Sequence, residues 1–355
     1  VIAFIPPWWL QNGFAMTLYT AGLSRHLEVK LPRLAYQEYV FSGAGGVPIF
    51  GQWVVPRQTK GTIIATYGIT GSLADQKYLH LLAYWAVQRG YGVVLFDWRA
   101  HGRTGQLSPA LPSDGIQEGQ DFLAVAVGAQ RLGCPPPYWF MGYSLGGQLA
   151  LWAGWAAVDA ASPLPREQVG GVIAVCPNLD AGRSLAYLMA HPWGRYLERA
   201  ITRELQKLAH QLYLAHPQEI DGAAIARAHS IWTFDQELVI PRLGFATVQD
   251  YYAATSPLRF LGELTLPTLI LYAEDDPLFD PTIILDLVQL TAQNAWIDLV
   301  LTKYGGHVGY YSSRAGQQLA ADPDRWWAWH RVLDWIDGHS PPTVRQLPCP
   351  DGHHY

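Results

Sequence analysis

The chain has 355 residues, of which 50% are hydrophobic and only 15% charged, with a formal net charge of −5. A chain of this length and apolar content buries a large core, as one domain with insertions or as about two domains. With no basic block it offers nothing to nucleic acid, and its cysteines (Cys134, Cys176 and Cys349) are odd in number and far apart, which excludes a disulfide framework or zinc spacing and fits a reducing, cytoplasmic setting. Fifteen tryptophans and nineteen tyrosines imply a large aromatic core, an apolar substrate pocket or a membrane-facing rim. The apolar runs are too short to predict a transmembrane helix, and no signal peptide is read at the N-terminus, which begins with Val1.

Residues 1–31 read as an irregular, apolar extension that contains Pro6-Pro7-Trp8-Trp9-Leu10. Residues 36–41 and 48–55 are β-rich and are joined by a glycine turn, so they predict an antiparallel hairpin. Residues 61–67 (GTIIATY) predict a buried strand, 77–89 a helix stopped by Gly90, 92–96 a short strand and 116–132 another helix. A strand at 138–141, a helix at 148–157 and a strand at 171–176 follow. This alternation implies right-handed crossovers and a mainly parallel sheet. It stops after Cys176: residues 178–255 are helical in pattern and read as an inserted cap. It resumes with a strand at 267–272, a helix at 282–291, a strand at 296–301 and a last helix at 326–338. Residues 32–339 are thus one domain, and 340–355, with His353 and His354, read as a tail.

Chemistry centres on Gly142-Tyr143-Ser144-Leu145-Gly146. A G-x-S-x-G run between a strand and a helix places the serine on a sharp turn, with its Oγ exposed above a helix N-terminus. Serine is a weak nucleophile and needs a base held in the right tautomer by an acid. In hydrolases built on such sheets the chain order is serine, acid, histidine. Here Ala273-Glu274-Asp275-Asp276-Pro277 follows one late strand and Gly305-Gly306-His307-Val308-Gly309 follows the next, both where open sheets place their sites. His307 is the expected base. Asp276 is the preferred acid, with Asp275 the alternative and Glu274 more distant. The oxyanion donors are expected to be the backbone N–H groups of Leu145 and, from the loop after 61–67, Ile69. His101, in Asp97-Trp98-Arg99-Ala100-His101-Gly102-Arg103, precedes the serine and reads as a residue that holds its loop by hydrogen bonds. No metal constellation, P-loop or dinucleotide fingerprint stands out, so no cofactor is expected.

The elbow GYSLGG, the GGHVG loop, the AEDDP turn and the DWRAHG turn together resemble the α/β-hydrolase superfamily, and within it the YheT-like branch with its ABHD-type hydrolases and yeast medium-chain ethyl ester synthases. Pro6 to Gly13 (PPWWLQNG), Phe234-Asp235, Gly244-Phe245, Asp250-Tyr251-Tyr252 and Ser256-Pro257 extend the resemblance over nearly the whole chain. It implies an α/β-hydrolase fold with a helical cap, Ser144 as nucleophile, Asp276 as acid, His307 as base, and esterase, lipase or acyltransferase chemistry on carboxylic esters. Relatives usually carry His-Gly in the oxyanion loop, where this chain has Tyr67-Gly68, so the side-chain bond that orients the loop there has no histidine to make it. Some relatives have an N-terminal membrane anchor; none is read in this sequence.

The expected substrate is a short- to medium-chain or lipid-like ester, hydrolysed through an acyl-enzyme. Two alternatives stay open at this level: transfer of the acyl group to an alcohol, and a non-catalytic binding protein on the same fold. Weak peripheral membrane contact through Trp8, Trp9 and Leu10 is a further option, although packing of these residues on the domain is preferred. Oligomeric state is not read.

Overall fold

The computed structural model describes residues 2–26 and 34–340. Its centre is an eight-stranded sheet made of β1 (Gln37–Ser42), β2 (Pro48–Val54), β3 (Thr62–Thr66), β4 (Gly92–Phe96), β5 (Tyr138–Tyr143), β6 (Val169–Val175), β7 (Thr268–Ala273) and β8 (Ile297–Thr302). The spatial order is β1-β2-β4-β3-β5-β6-β7-β8. β1 and β2 form the expected antiparallel hairpin, β2 meets β4 antiparallel, and every other pairing is parallel. All residues of β3, β4, β5 and β7 are buried. Strands covered on both faces have no polar side to show, which is why these segments read as continuous apolar runs rather than alternating ones.

The first helix, α1 (Gly13–His26), lies in the segment that read as irregular, after a 3-10 turn at Trp8–Leu10. Asn12 caps it, its Oδ1 accepting from the Ala15 N–H at 3.0 Å. Leu10 is buried, but Trp8 is 84% exposed, contrary to the packing expected for it. A three-residue turn can direct only part of its side chains inward. The helices around the sheet begin with α2 (Lys77–Gln88), α3 (Gly102–Leu107), α4 (Glu118–Arg131) and α5 (Leu145–Ala157). α5 packs on β5, β6 and α4. α3 was not read from the sequence, where Gly102 reads as part of a turn.

Between β6 and β7 the chain is helical: α6 (Ala181–Ala190), α7 (Pro192–Ala215), α8 (Gly222–Arg227), α9 (Ile231–Phe234), one π-helical turn (Asp235–Val239), α10 (Ile240–Leu243) and α11 (Val248–Thr255). This region has its own apolar cluster, including Leu205, Leu208, Leu212, Phe234, Leu238 and Tyr251. Side-chain caps at Asp180, Asp221, Ser230 and Thr247 start four of its helices. His216 Nε2 lies 2.8 Å from Gly105 O and ties α7 to α3. The chain then returns through α12 (Ile283–Gln293), α13 (Arg314–Ala320) and α14 (Trp327–His339). Among the described residues no helix is long and apolar enough to cross a membrane. Cys349, His353 and His354, with the rest of 341–355, lie outside the described residues.

Candidate active site

Ser144 sits between β5 and α5 with φ 55° and ψ −126°, a conformation that L-residues rarely adopt. The surrounding sequence makes that turn compulsory. A Cβ at Gly142 would collide with the Gly146 carbonyl, and one at Gly146 with the Tyr67 carbonyl. The Ser144 N–H is tied to Val175 O at 2.9 Å and its carbonyl accepts from the Gly147 and Gln148 N–H groups. The serine is therefore fixed from both sides while Oγ faces outward.

The structure brings Ser144, His307 and Asp276 together. Ser144 Oγ lies 2.8 Å from His307 Nε2, and His307 Nδ1 lies 2.8 Å from Asp276 Oδ2. With the proton on Nδ1 donated to Asp276, Nε2 is left as an acceptor for the serine hydroxyl. Asp276 is 7% exposed, and its other oxygen accepts from the Leu278 N–H at 2.9 Å, so the carboxylate is held against rotation. The Phe279 ring meets the imidazole edge-on, 5.1 Å between centroids.

Asp275 points elsewhere. Its Oδ1 accepts from the Gly306 N–H at 2.9 Å, bracing the histidine loop, and burial pushes its carboxyl up to about 6. The two adjacent acids thus face different partners: Asp276 the imidazole, Asp275 the backbone beside it.

The loop that carries His307 is further held by groups that the sequence reading missed. The His307 N–H donates to Thr17 Oγ1 of α1 at 2.8 Å. Cys176, at the end of β6 with φ 46°, accepts from the Val308 N–H at 3.4 Å and places its thiol 3.7 Å from Gly306 O. The Asn12 cap was a legible signal for α1; nothing in the sequence linked Thr17 or Cys176 to His307. Ligand atoms of Cys176, Asp276 and His307 lie within 4.8 Å of one another. This grouping is a poor metal site, because burial pushes the Cys176 thiol well up and keeps it protonated, while His307 and Asp276 already engage each other.

On the other side of Ser144 runs the loop Tyr67-Gly68-Ile69. A Cβ on Gly68 would lie 3.1 Å from Ser144 Cβ, so a side chain there would push on the serine, and glycine lets the loop pass this close without a shift. Leu145 is the first residue of α5, where an N–H has no carbonyl one turn behind it. Leu145 and Ile69 both line the cavity onto which Ser144 opens.

Tyr67 anchors this loop by a side-chain bond of its own. Its hydroxyl donates to buried Asp97 at 2.6 Å, and Asp97 also accepts from the Leu73 and Arg103 N–H groups. His101 is buried and stacked on Trp98, with its ring nitrogens 2.7 Å from Arg99 O and 2.9 Å from Ile69 O. Burial pushes His101 down to about 4. It holds its loop, as the sequence reading has it, and does not enter the Ser144 chain of hydrogen bonds.

The cavity runs from Ser144 under the cap. Leu185, Leu188, Ile201, Leu205, Leu208 and Phe279 give it apolar walls, and Asp114, Asp235 and Ser184 are polar exceptions.

Comparison with known proteins agrees with this architecture. The family model described as "alpha/beta hydrolase fold" matches residues 61–313. A Synechocystis sp. protein named "Putative esterase slr0264" is 50% identical over 351 residues, covering 95% of each chain. "Phospholipase ABHD3" of Mus musculus is 28% identical over 86% of this chain and 73% of its own. "Putative esterase YheT" of Escherichia coli is 28% identical over 88% of this chain and 89% of its own. By its sheet order, its serine turn and these matches, the chain belongs to the α/β-hydrolase fold family, alongside relatives of the YheT and ABHD type.

Proposed function

We propose that the chain hydrolyses carboxylic esters through an acyl-enzyme formed on Ser144. The observation that carries this reading is the relay Ser144–His307–Asp276, with both links at 2.8 Å, opening onto an apolar cavity. Ser144 Oγ attacks the acyl carbon and its proton passes to His307 Nε2. The carbonyl electrons move onto oxygen, where the Leu145 and Ile69 N–H groups receive the negative charge. Asp276 stabilises the imidazolium without itself taking the proton. Collapse of the tetrahedral intermediate breaks the C–O bond, and His307 delivers its proton to the departing alcohol. Water, deprotonated by His307, then attacks the acyl-enzyme, and a second collapse releases the acid and restores Ser144.

The apolar walls under the cap favour short- to medium-chain or lipid-like acyl groups, since each methylene buried adds up to about 0.8 kcal/mol. The esterase and phospholipase names of the relatives are in keeping with an ester substrate. An active-site-directed fluorophosphonate tests the reading. The expected result is one covalent adduct on the peptide that holds Ser144, absent in Ser144→Ala. An unmodified Ser144 peptide under conditions that label a control serine hydrolase would remove it.

A further inference from the structure

Outside the relay, the cavity carries carboxyl groups that ester cleavage does not require. Asp114 enters it from the loop before α4, and Asp235 from the π-helical turn of the cap. Two acids from distant parts of the chain face one apolar space. Burial and then the neighbouring carboxylates hold both above the usual carboxylate range, Asp114 at about 7 and Asp235 well above it. The Tyr252 hydroxyl donates to Asp235 Oδ2 at 2.5 Å, and the fully buried Tyr251 hydroxyl lies beside Asp114. Asp114 has φ 48°, an uncommon conformation for a residue with a side chain, and the Gln148 amide donates to its carbonyl at 2.7 Å.

A separate observation points to a ligand. Ser184 lines the same cavity and is 5% exposed, yet its Oγ has no hydrogen-bond partner among the described residues. Asn178 Oδ1, also on the cavity wall, is likewise unpaired. Buried polar atoms are normally satisfied, and unpaired ones on residues that line a cavity are within a side-chain rotation of a ligand's polar group.

We propose that Asp114 and Asp235, with Ser184 and Asn178 lining the same cavity, form a subsite for a hydroxyl group carried by the substrate ester. A hydroxyl both donates and accepts. A carboxyl pair that retains a proton at neutral pH also offers both roles, so the two match. A quaternary ammonium would bring no N–H and would need the pair fully ionised in an apolar space. The subsite rests on the ester-hydrolase reading, and it adds that an ester with a hydroxyl at the right reach is preferred over its plain counterpart.

Three esters of matched chain length test it: ethyl octanoate, ethyl ω-hydroxyoctanoate and hydroxyethyl octanoate. The second carries the hydroxyl on the acyl side and the third on the alcohol side. Wild-type kcat/KM is measured for each, and Kd is measured on Ser144→Ala, which reads the subsite without turnover. The expected result is a preference of about tenfold for one hydroxylated ester over ethyl octanoate in both measurements. Which of the two is preferred assigns the subsite to the acyl or the alcohol side. The preference should collapse toward one in Asp114→Ala and Asp235→Ala, each checked for a cooperative thermal transition. Equal or weaker binding of both hydroxylated esters overturns the subsite, whether or not the variants fold. Hydroxyl-selective binding without turnover of any ester would sink the hydrolase reading alone.

Discussion

Thr17 Oγ1, on the N-terminal helix, accepts a 2.8 Å hydrogen bond from the backbone N–H of His307 while donating at 2.7 Å to Gly13 O. The contact joins residues at opposite ends of the chain, and it fixes the loop whose imidazole faces Ser144. Gly306 is in the left-handed region at φ 55°, as is Val308 at φ 57°, so the loop needs external bracing to stay in place. Thr17→Val removes the acceptor at nearly constant volume. We expect kcat to fall about tenfold with KM little changed, because a misplaced base weakens the transition state more than substrate binding. Thr17→Ser should recover most of the loss. Steady-state kinetics on one ester with the three proteins checks this; a change confined to KM would remove the positioning role.

The neighbouring acids give a sharper contrast. Asp276 contacts the imidazole, and Asp275 contacts the Gly306 N–H. Asp276→Asn should lower kcat about 10⁴-fold, since an amide favours the wrong tautomer of His307. Asp275→Asn keeps an oxygen acceptor for Gly306 and should cost no more than about tenfold. Comparison of the two variants on the same ester decides it, and the reverse ranking would make Asp275 the acid.

Tyr67 bears on stability as well as on the loop beside Ser144. Tyr67→Phe deletes the 2.6 Å bond to Asp97, whose carboxylate is 1% exposed. Two backbone donors remain, from Leu73 and Arg103. Loss of one charge-assisted bond to a buried acceptor should cost about 1–3 kcal/mol in urea unfolding. An unchanged midpoint would mean that the hydroxyl is not needed to hold Asp97.

Stability should also depend on pH through Asp114. Asp235, Glu118 and Tyr251 are the ionisable groups that interact with it. Its carboxyl is pushed up by burial to about 7, whereas an unfolded Asp titrates near about 4. Across that window the native state binds more protons than the unfolded state, so stability falls as pH rises from about 4 to about 7. Asp114→Asn removes the share of this fall that Asp114 contributes, while raised carboxyls such as Asp121 and Asp275 keep theirs. Melting temperatures of wild type and variant, taken from pH 4 to pH 8, should diverge in favour of the variant as pH increases. Parallel curves would contradict a buried, raised carboxyl at this position.

How far the sequence spoke depends on whether a feature is local. The turn at Ser144 was legible because Gly142 and Gly146 are dictated by contacts within a few residues or with the adjoining strand. β3, β4, β5 and β7 were legible because burial on both faces leaves an unbroken apolar run. The choice between Asp275 and Asp276 depends on how the chain turns after β7, where the Asp276 N–H meets Ala273 O, and composition carries no sign of that. α1 escaped notice because its apolar residues keep no clean helical stripe. Thr17, Cys176 and the Asp114–Asp235 pair belong to the cavity and its surroundings only through contacts between distant segments, and nothing local in the sequence ties any of them to Ser144 or His307.

Ser144 as the nucleophile of an ester hydrolase is tested most directly by hydrolysis of p-nitrophenyl esters from acetyl to dodecanoyl by wild type and by Ser144→Ala. Wild type is expected to turn these esters over with an optimum above acetyl, set by the apolar walls beneath the cap. In the variant the rate should fall by at least about 10⁴-fold. Equal rates in the two proteins, or no turnover of any chain length by a folded wild type, would contradict it.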